Sequence, residues 1–136
     1  MKMLKKIIPF ILVSIFCVSL SSQSKDSLYF CKDYKDTKEV GVAKVFTLPK
    51  TGGDLTVMVR LGDPIGVDHV NLEIYKITGG DEVLIRTDPW DINKDWDYIY
   101  FSYVNFKQEG KFRVACTRKN GLEVVSGYVE IKFEKE

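Results

Sequence analysis

The sequence is poor in the side chains that build metal sites and catalytic triads. It has one histidine, His69, and three cysteines among 136 residues. A structural zinc site takes about four His or Cys ligands, and a catalytic serine or cysteine needs a base beside it. A pair of carboxylates can act as acid and base in any sequence, but a domain this small seldom forms the cleft such chemistry requires. We therefore expect a protein that is not an enzyme and uses no cofactor, with His69 as a solvated strand-end residue.

The chain also lacks an excess of charge of either sign. It has 20 basic and 19 acidic residues, giving a net charge of +1. A nearly neutral protein has no electrostatic attraction for nucleic acid or for an anionic membrane surface. Neither is expected as a partner.

The longest apolar run, Ile7 to Leu20, is too short to span a membrane, because a spanning helix needs about 20 residues. Lysines precede it and serines follow it: Lys2, Lys5 and Lys6, then Ser21, Ser22 and Ser24. This order of basic, apolar and small residues is typical of a secretory signal peptide. Residues 1–24 are therefore predicted to be a cleaved signal peptide.

Two other readings of this segment fit the pattern less well. A retained anchor would require a longer apolar run. Lipid attachment at Cys17 would require a small residue before it, whereas Phe16 is bulky. Cleavage leaves residues 25–136 as a single domain without a stable membrane span, secreted or periplasmic. In this domain acidic residues outnumber basic ones by two.

Two cysteines, Cys31 and Cys116, belong to the predicted mature domain. Export brings them into an oxidising compartment, where an even number of cysteines usually forms disulfides. The alternative is two buried free thiols that pack as small apolar residues. The compartment favours a disulfide between Cys31 and Cys116.

No stretch of ten residues in the domain has helical periodicity. Apolar residues alternate with polar ones, or form short runs between turn residues, and both patterns indicate strands. The predicted strands are Leu28–Cys31, Val40–Leu48, Leu55–Leu61, Val70–Ile77, Glu82–Thr87, Trp96–Val104, Lys111–Arg118 and Glu123–Phe133. About seven to eight strands at this spacing favour an all-β, antiparallel sandwich of two sheets.

Turn residues separate these strands at recognisable positions. Thr78-Gly79-Gly80-Asp81 and Asn120-Gly121 have the composition of tight hairpin turns. Asp88-Pro89 is expected to end the fifth strand, because proline cannot donate a ladder hydrogen bond.

The last two predicted strands resemble those of immunoglobulin-like domains, since Gly110–Cys116 precedes an Asn-Gly turn and a terminal strand. The chain is also similar to uncharacterised small secreted bacterial proteins with an immunoglobulin-like β-sandwich domain. That similarity rests on Tyr29–Cys31, Leu55–Val59 and Trp96–Phe101. The resemblance implies an immunoglobulin-like sandwich and no known activity. The chain departs from antibody domains because Cys31 lies in the first predicted strand, and Val114 replaces the tyrosine expected two residues before Cys116.

One predicted strand is unusually aromatic. Trp96, Tyr98 and Tyr100 alternate and therefore share one face, while Ile99 and Phe101 share the other. One row must face the core. If the Trp and Tyr row is exposed, it can stack on sugar rings or bury against a protein partner.

The second tryptophan of this region, Trp90, lies between Pro89 and Asp91 in a predicted connection. A tryptophan in that position either closes the end of the sandwich or is free to contact a ligand. The candidate ligand-binding residues are Trp90, Trp96, Tyr98 and Tyr100.

The same region offers a candidate metal site. Its oxygen-bearing residues alternate like the first ligands of a calcium loop: Asp91, Asn93, Asp95 and Asp97. Two positions depart from that loop, because Trp96 replaces the turn glycine and Ser102 replaces the final glutamate. The other interpretation is an acidic connection whose Asp and Asn residues form turns.

Together these features predict an exported, non-catalytic binding or interaction module whose partner is a protein or a carbohydrate. The alternative is a structural or assembly subunit that uses strand addition at a sheet edge. An exposed aromatic patch would favour the first function, and a long unprotected edge strand the second.

We expect the mature protein to begin between Ser22 and Asp26, because the small residues that follow the apolar run form the cleavage region. N-terminal sequencing of the exported protein measures this start. Retention of Met1 on the exported protein would contradict the prediction.

Overall fold

The computed structural model describes residues 25–135, so the predicted signal peptide lies outside the described residues. Every regular element among them is a β-strand. The strands are β1 (Ser27–Cys31), β2 (Asp33–Lys35), β3 (Lys38–Val40), β4 (Val45–Leu48), β5 (Gly53–Arg60), β6 (His69–Thr78), β7 (Asp81–Asp91), β8 (Tyr98–Phe106), β9 (Gly110–Arg118) and β10 (Glu123–Phe133). Residues 25–135 contain no helix with the length and apolar character needed to cross a membrane.

These strands form three sheets rather than the two that were predicted. The small sheet has the order β1-β5-β8, the large sheet has the order β4-β10-β9-β6-β7, and β2 and β3 form a separate hairpin. β4 runs parallel to β10, whereas the other strand pairs are antiparallel. The all-β prediction is confirmed, and the count of seven to eight strands in two antiparallel sheets is not.

The core lies between the small and the large sheet. Alternate residues of strands from both sheets are buried together, as expected when two sheets pack face to face. Alternate residues of two predicted strands belong to this core: Leu55, Val57, Val59 and Leu61 of one, and Phe112, Val114 and Cys116 of the other. The β-sandwich architecture therefore follows directly from the period-two pattern of the strands.

The chain passes from one layer to the other within the predicted strand Val40–Leu48, which is therefore wrong as a single element. β3 ends at Val40, and β4 begins at Val45. Gly41 adopts a positive φ of 70°, a conformation that glycine takes without steric cost. The residues between the two strands connect the hairpin to the large sheet.

The prediction that Asp88-Pro89 ends the fifth strand is also wrong, since β7 continues to Asp91. β7 is the edge strand of the large sheet. Alternate N–H groups of an edge strand have no ladder partner, so a proline is tolerated there. Trp90 consequently lies within a strand, opposite Val70 of β6.

Close contact between two layers depends on Gly127 of β10. A Cβ atom at this position would lie 2.1 Å from the carbonyl oxygen of Leu28 in β1. Any side chain would therefore push β1 away from the large sheet.

The predicted disulfide is wrong, because Cys31 and Cys116 are both free and buried. Cys116 belongs to the core between the sheets. Cys31 follows the core residue Phe30 and so points to the opposite face of β1, where its Sγ contacts the carbonyl oxygen of Asp33 at 3.3 Å. Cys116 lies on β9 of the large sheet, so the small sheet separates the two side chains and keeps them from the Cβ–Cβ distance of about 4 Å that a disulfide requires.

We expect both thiols of the mature protein to react with iodoacetamide when the protein is unfolded without reductant. Mass spectrometry should find two labels, and one label in the Cys116→Ala variant. In the folded protein labelling should be slow, because burial raises the pKa of both thiols, that of Cys116 to about 12. An unfolded, unreduced protein that takes up no label would contradict this geometry.

Candidate binding cleft

The outer face of the small sheet carries a polar cluster around Glu39 of β3. Tyr29 of β1 and Tyr98 of β8 both donate their hydroxyl groups to the Glu39 carboxylate. Arg60 Nη2 lies 3.6 Å from the same carboxylate oxygen. The Arg60 guanidinium also lies 4.5 Å from the centre of the Tyr98 ring. The cluster fastens the β2–β3 hairpin onto the small sheet.

The hydroxyl groups in this cluster stay protonated over the neutral pH range. Burial, together with the hydrogen bond to Glu39, raises the pKa of both Tyr29 and Tyr98. The hydrogen bond to Tyr29 raises the pKa of Arg60. The Glu39 carboxylate thus faces one fixed positive charge and two neutral donors, an arrangement suited to holding the hairpin in place.

Tyr34 of β2 extends this hairpin contact into a wall of aromatic rings. Its ring stacks on Tyr100 with the ring centres 4.3 Å apart and the planes inclined by 26°. It also meets the edge of Tyr98, with the ring centres 6.0 Å apart. Three tyrosines therefore form one continuous aromatic surface beside β8.

Trp90 of β7 forms the opposite wall. It packs against Phe101 of β8 in an edge-to-face arrangement, with the ring centres 5.1 Å apart, and it borders the hydrophobic core. Its indole Nε1 is buried and has no hydrogen-bond partner among the described residues. The prediction that Trp90 lies in a connection is therefore wrong, since Trp90 is a strand residue. Its ring closes the side of the sandwich.

A cleft of about 450 Å³ lies between these two walls. Its lining comprises Tyr34 from the hairpin, Trp90, Asp91 and Ile92 from β7 and its end, Trp96 from the following loop, and Tyr98, Ile99, Tyr100 and Phe101 from β8. The structure thus brings all four sequence-predicted ligand-binding residues to one place. Trp96 and Tyr100 remain 47% and 50% exposed, so their rings are available for contact.

The two rows of the aromatic strand divide in one of the two expected ways. Ile99 and Phe101 are buried in the core, and Tyr98 and Tyr100 therefore point to the outer face of the small sheet. Trp96 precedes β8 rather than starting it. It reaches the cleft from a loop whose position is fixed by backbone hydrogen bonds, including one from Ile65 N to Trp96 O at 2.8 Å.

The acidic residues of the same region are engaged in separate contacts. Asp91 Oδ1 lies 3.2 Å from Nδ1 of His69, and Asn93 Oδ1 accepts a hydrogen bond from Asp95 N at 2.8 Å. The carbonyl oxygen of Asp97 accepts a hydrogen bond from Leu61 N. Within residues 25–135 no three His, Cys, Asp or Glu side chains lie close enough to hold a metal ion together. The carboxylates of the predicted calcium loop are therefore not brought to one point.

Tyr34 lines the cleft, while Tyr29, Glu39 and Arg60 hold its hairpin in place; the sequence indicated none of these roles. The β2–β3 hairpin has turn residues, Asp36 and Thr37, that both have a positive φ, 51° and 63°. Tight hairpins with this conformation usually contain glycine. Without that glycine, the turn had no recognisable sequence signal.

No model of a known protein family matches the chain, and no curated protein matches it. Among solved structures, the chain is similar to the CARDB domain of a Pyrococcus furiosus protein crystallised in complex with di-metal ions. The two share 15% identity with a TM-score of 0.43, over 82% of this chain and 96% of the other.

We expect the Trp90→Ala variant to lose ~3–5 kcal/mol of unfolding free energy, the usual cost of deleting a large buried ring. The matched variant Trp90→Phe keeps a ring against Phe101 and removes the unpaired N–H, so its loss should be below ~1.5 kcal/mol. Urea denaturation of the two variants measures both values. An alanine variant within ~0.5 kcal/mol of the wild type would mean that Trp90 does not close the sandwich.

Proposed function

We propose that the chain is an exported, non-catalytic binding module and that the aromatic cleft is its binding surface. The observation that carries this proposal is the convergence of four aromatic side chains predicted from the sequence on one cleft, with Trp96 and Tyr100 half exposed. Tryptophan and tyrosine are the side chains that most often dominate binding energy at protein interfaces. Their rings also stack on sugars and other apolar faces.

The chemistry of the candidate reactive groups supports a non-catalytic role. The only histidine of the sequence, His69, lies beside Asp91 at the surface. The two thiols of the domain are buried, and their raised pKa values keep them protonated at neutral pH. A protonated, buried thiol is a poor nucleophile.

The proposed arrangement of the small and the large sheet is immunoglobulin-like, and the order of strand pairing supports it. β1, β5 and β8 correspond to strands A, B and E of such domains. β10, β9, β6 and β7 correspond to strands G, F, C and C′. In this assignment the cleft lies between the edges of strands E and C′. Domains of this architecture commonly carry binding residues on a rigid sandwich.

Export of the module rests on the pattern of residues 1–24, and it makes the periplasm or the cell exterior the place of binding. The near balance of charges argues against nucleic acid as a partner. A protein or a carbohydrate remains as the partner class.

The second candidate function, assembly by strand addition, is favoured by the free edge of β7. β7 is 11 residues long and lies at the edge of the large sheet. Three consecutive apolar residues on it, Val83, Leu84 and Ile85, are exposed. A long apolar edge strand can pair with the same strand of a second copy.

A selection of binding partners tests the first function. The mature protein is presented with an oligosaccharide panel and with a displayed library of random dodecapeptides. We expect at least one bound probe whose affinity falls about tenfold or more in Tyr100→Ala, since loss of an interface aromatic commonly costs that much. The control Tyr128→Ala removes a tyrosine that is 61% exposed on β10, away from the cleft, and should bind like the wild type.

Two results would decide against this function. If no probe distinguishes Tyr100→Ala from Tyr128→Ala, the cleft is not the binding surface. If the mature protein instead forms dimers that Leu84→Lys abolishes in analytical ultracentrifugation, the β7 edge is the functional surface.

A further inference from the structure

The floor of the cleft is the edge of a strand rather than the face of a sheet. Four consecutive residues of β8, from Tyr98 to Phe101, line it. Successive side chains of a strand point to opposite faces, and here Ile99 and Phe101 enter the core while Tyr98 and Tyr100 point outward. A space that touches all four in succession must run along the backbone of the strand.

This edge has unpaired hydrogen-bonding groups. β8 is the outermost strand of the order β1-β5-β8, and among residues 25–135 no strand pairs with its other side. In an edge strand every second residue directs its N–H and C=O groups away from the sheet. Two of the four residues that line the cleft therefore present backbone donors and acceptors to it.

The walls on either side of this edge suit alternating side chains. On the outer face of the small sheet the wall is the Tyr34–Tyr100 stack. On the core side it is Trp90 against Phe101, continued by Ile92. A segment extended along β8 would place one side chain against the tyrosines and the next against Trp90. Contacts to alternate side chains are what give specificity when a strand is added to a sheet.

The charge of the neighbouring loop also fits a peptide in this position. The end of the cleft carries the exposed carboxylate of Asp91. Asp95 and Asp97 follow in the same loop, in which Lys94 is the one basic residue. Negative charge at this end favours a basic residue in the bound segment.

We propose that the occupant of the cleft is an extended polypeptide segment that pairs with β8 as a fourth strand of the small sheet. Its alternate side chains are apolar, and a lysine or arginine lies near Asp91. The proposal rests on the proposed function and names its ligand class. A sugar ring could stack on the same aromatic residues, but it would leave the backbone groups of β8 without partners.

The experiment takes the dodecapeptide that the mature protein retains most strongly from the displayed library. Amide hydrogen exchange is measured for residues 98–101 with and without this peptide. We expect exchange of the edge-facing amides to slow by about tenfold or more, as happens when an amide enters a ladder. Exchange in β4, at the other edge of the large sheet, should be unchanged.

Two N-methylated forms of the peptide provide the matched control. One is methylated at its odd-numbered residues and the other at its even-numbered residues, so each form loses the N–H donors along one edge of the extended peptide. Only one edge of an extended peptide faces β8, so one form should lose at least about tenfold in affinity and the other should bind like the parent.

The remaining outcomes separate this inference from the function on which it rests. If both methylated forms bind equally, or if β8 amides gain no protection, peptides dock through side chains alone and the inference is overturned while the binding function stands. If only oligosaccharides bind in a Tyr100-dependent way, the inference is likewise overturned and the binding function stands. If no peptide or oligosaccharide depends on Tyr100, both proposals fail.

Discussion

The packing of the Trp90 ring against Phe101 is the contact on which the cleft depends. The large sheet has five strands and the small sheet has three, so the inner face of β7 extends beyond its partner layer. Trp90 covers part of this face by reaching Phe101 at the edge of the small sheet. Because Trp90 is also paired to Val70 in the ladder, the contact fixes how far apart the edges of β7 and β8 lie. The unequal width of the two sheets thus creates an open side, and one ring sets its dimensions.

The second wall depends on a different kind of interaction. Glu39 is largely buried, and a carboxylate in that position must be hydrogen-bonded or paired with a cation. Tyr29, Tyr98 and Arg60 supply those partners. By holding β3, they hold the whole hairpin, and with it the ring of Tyr34 against Tyr100. A wall already in place before binding reduces the ordering cost of the complex.

The sequence allowed most strands to be predicted because their apolar residues alternate with polar ones, and the same alternation appears in the core, as in Phe112, Val114 and Cys116. It also located the hairpin turn at Gly79-Gly80, where both residues have a positive φ.

The sequence did not locate the β2–β3 hairpin, because its turn lacks glycine. It also missed the continuation of β7 through Pro89. Proline normally ends a central strand, and the local sequence does not reveal that β7 lies at an edge. The disulfide was inferred from compartment and parity, neither of which specifies the face of a strand on which Cys31 lies. The aromatic residues of the site were recognised individually. Tyr34 stacks on Tyr100, and Glu39 accepts a hydrogen bond from Tyr98. Both come from a distant segment, so placing them beside these residues required the tertiary structure.

The two free edges on the open side of the sandwich differ in how well they resist pairing. In β7 a bulge between Leu84 and Arg86 interrupts the ladder, Pro89 removes a donor, and Arg86 and Asp88 form an ion pair at 3.0 Å on the side that faces the core. Bulges, prolines and inward charges are the features by which natural edge strands avoid pairing with other chains.

The part of β8 that lines the cleft has none of these protective features. Residues 98–101 contain neither proline nor charge, and the bulge of β8 comes later, where Ser102 and Tyr103 both oppose Thr56. Two aromatic walls flank this edge instead. A site for an extended segment requires an unprotected edge between rings that are already in position. In β7 only the stretch from Val83 to Ile85 lacks protective features. The difference between the two edges is therefore the physical reason why we propose β8, and not β7, as the edge that pairs with an extended segment.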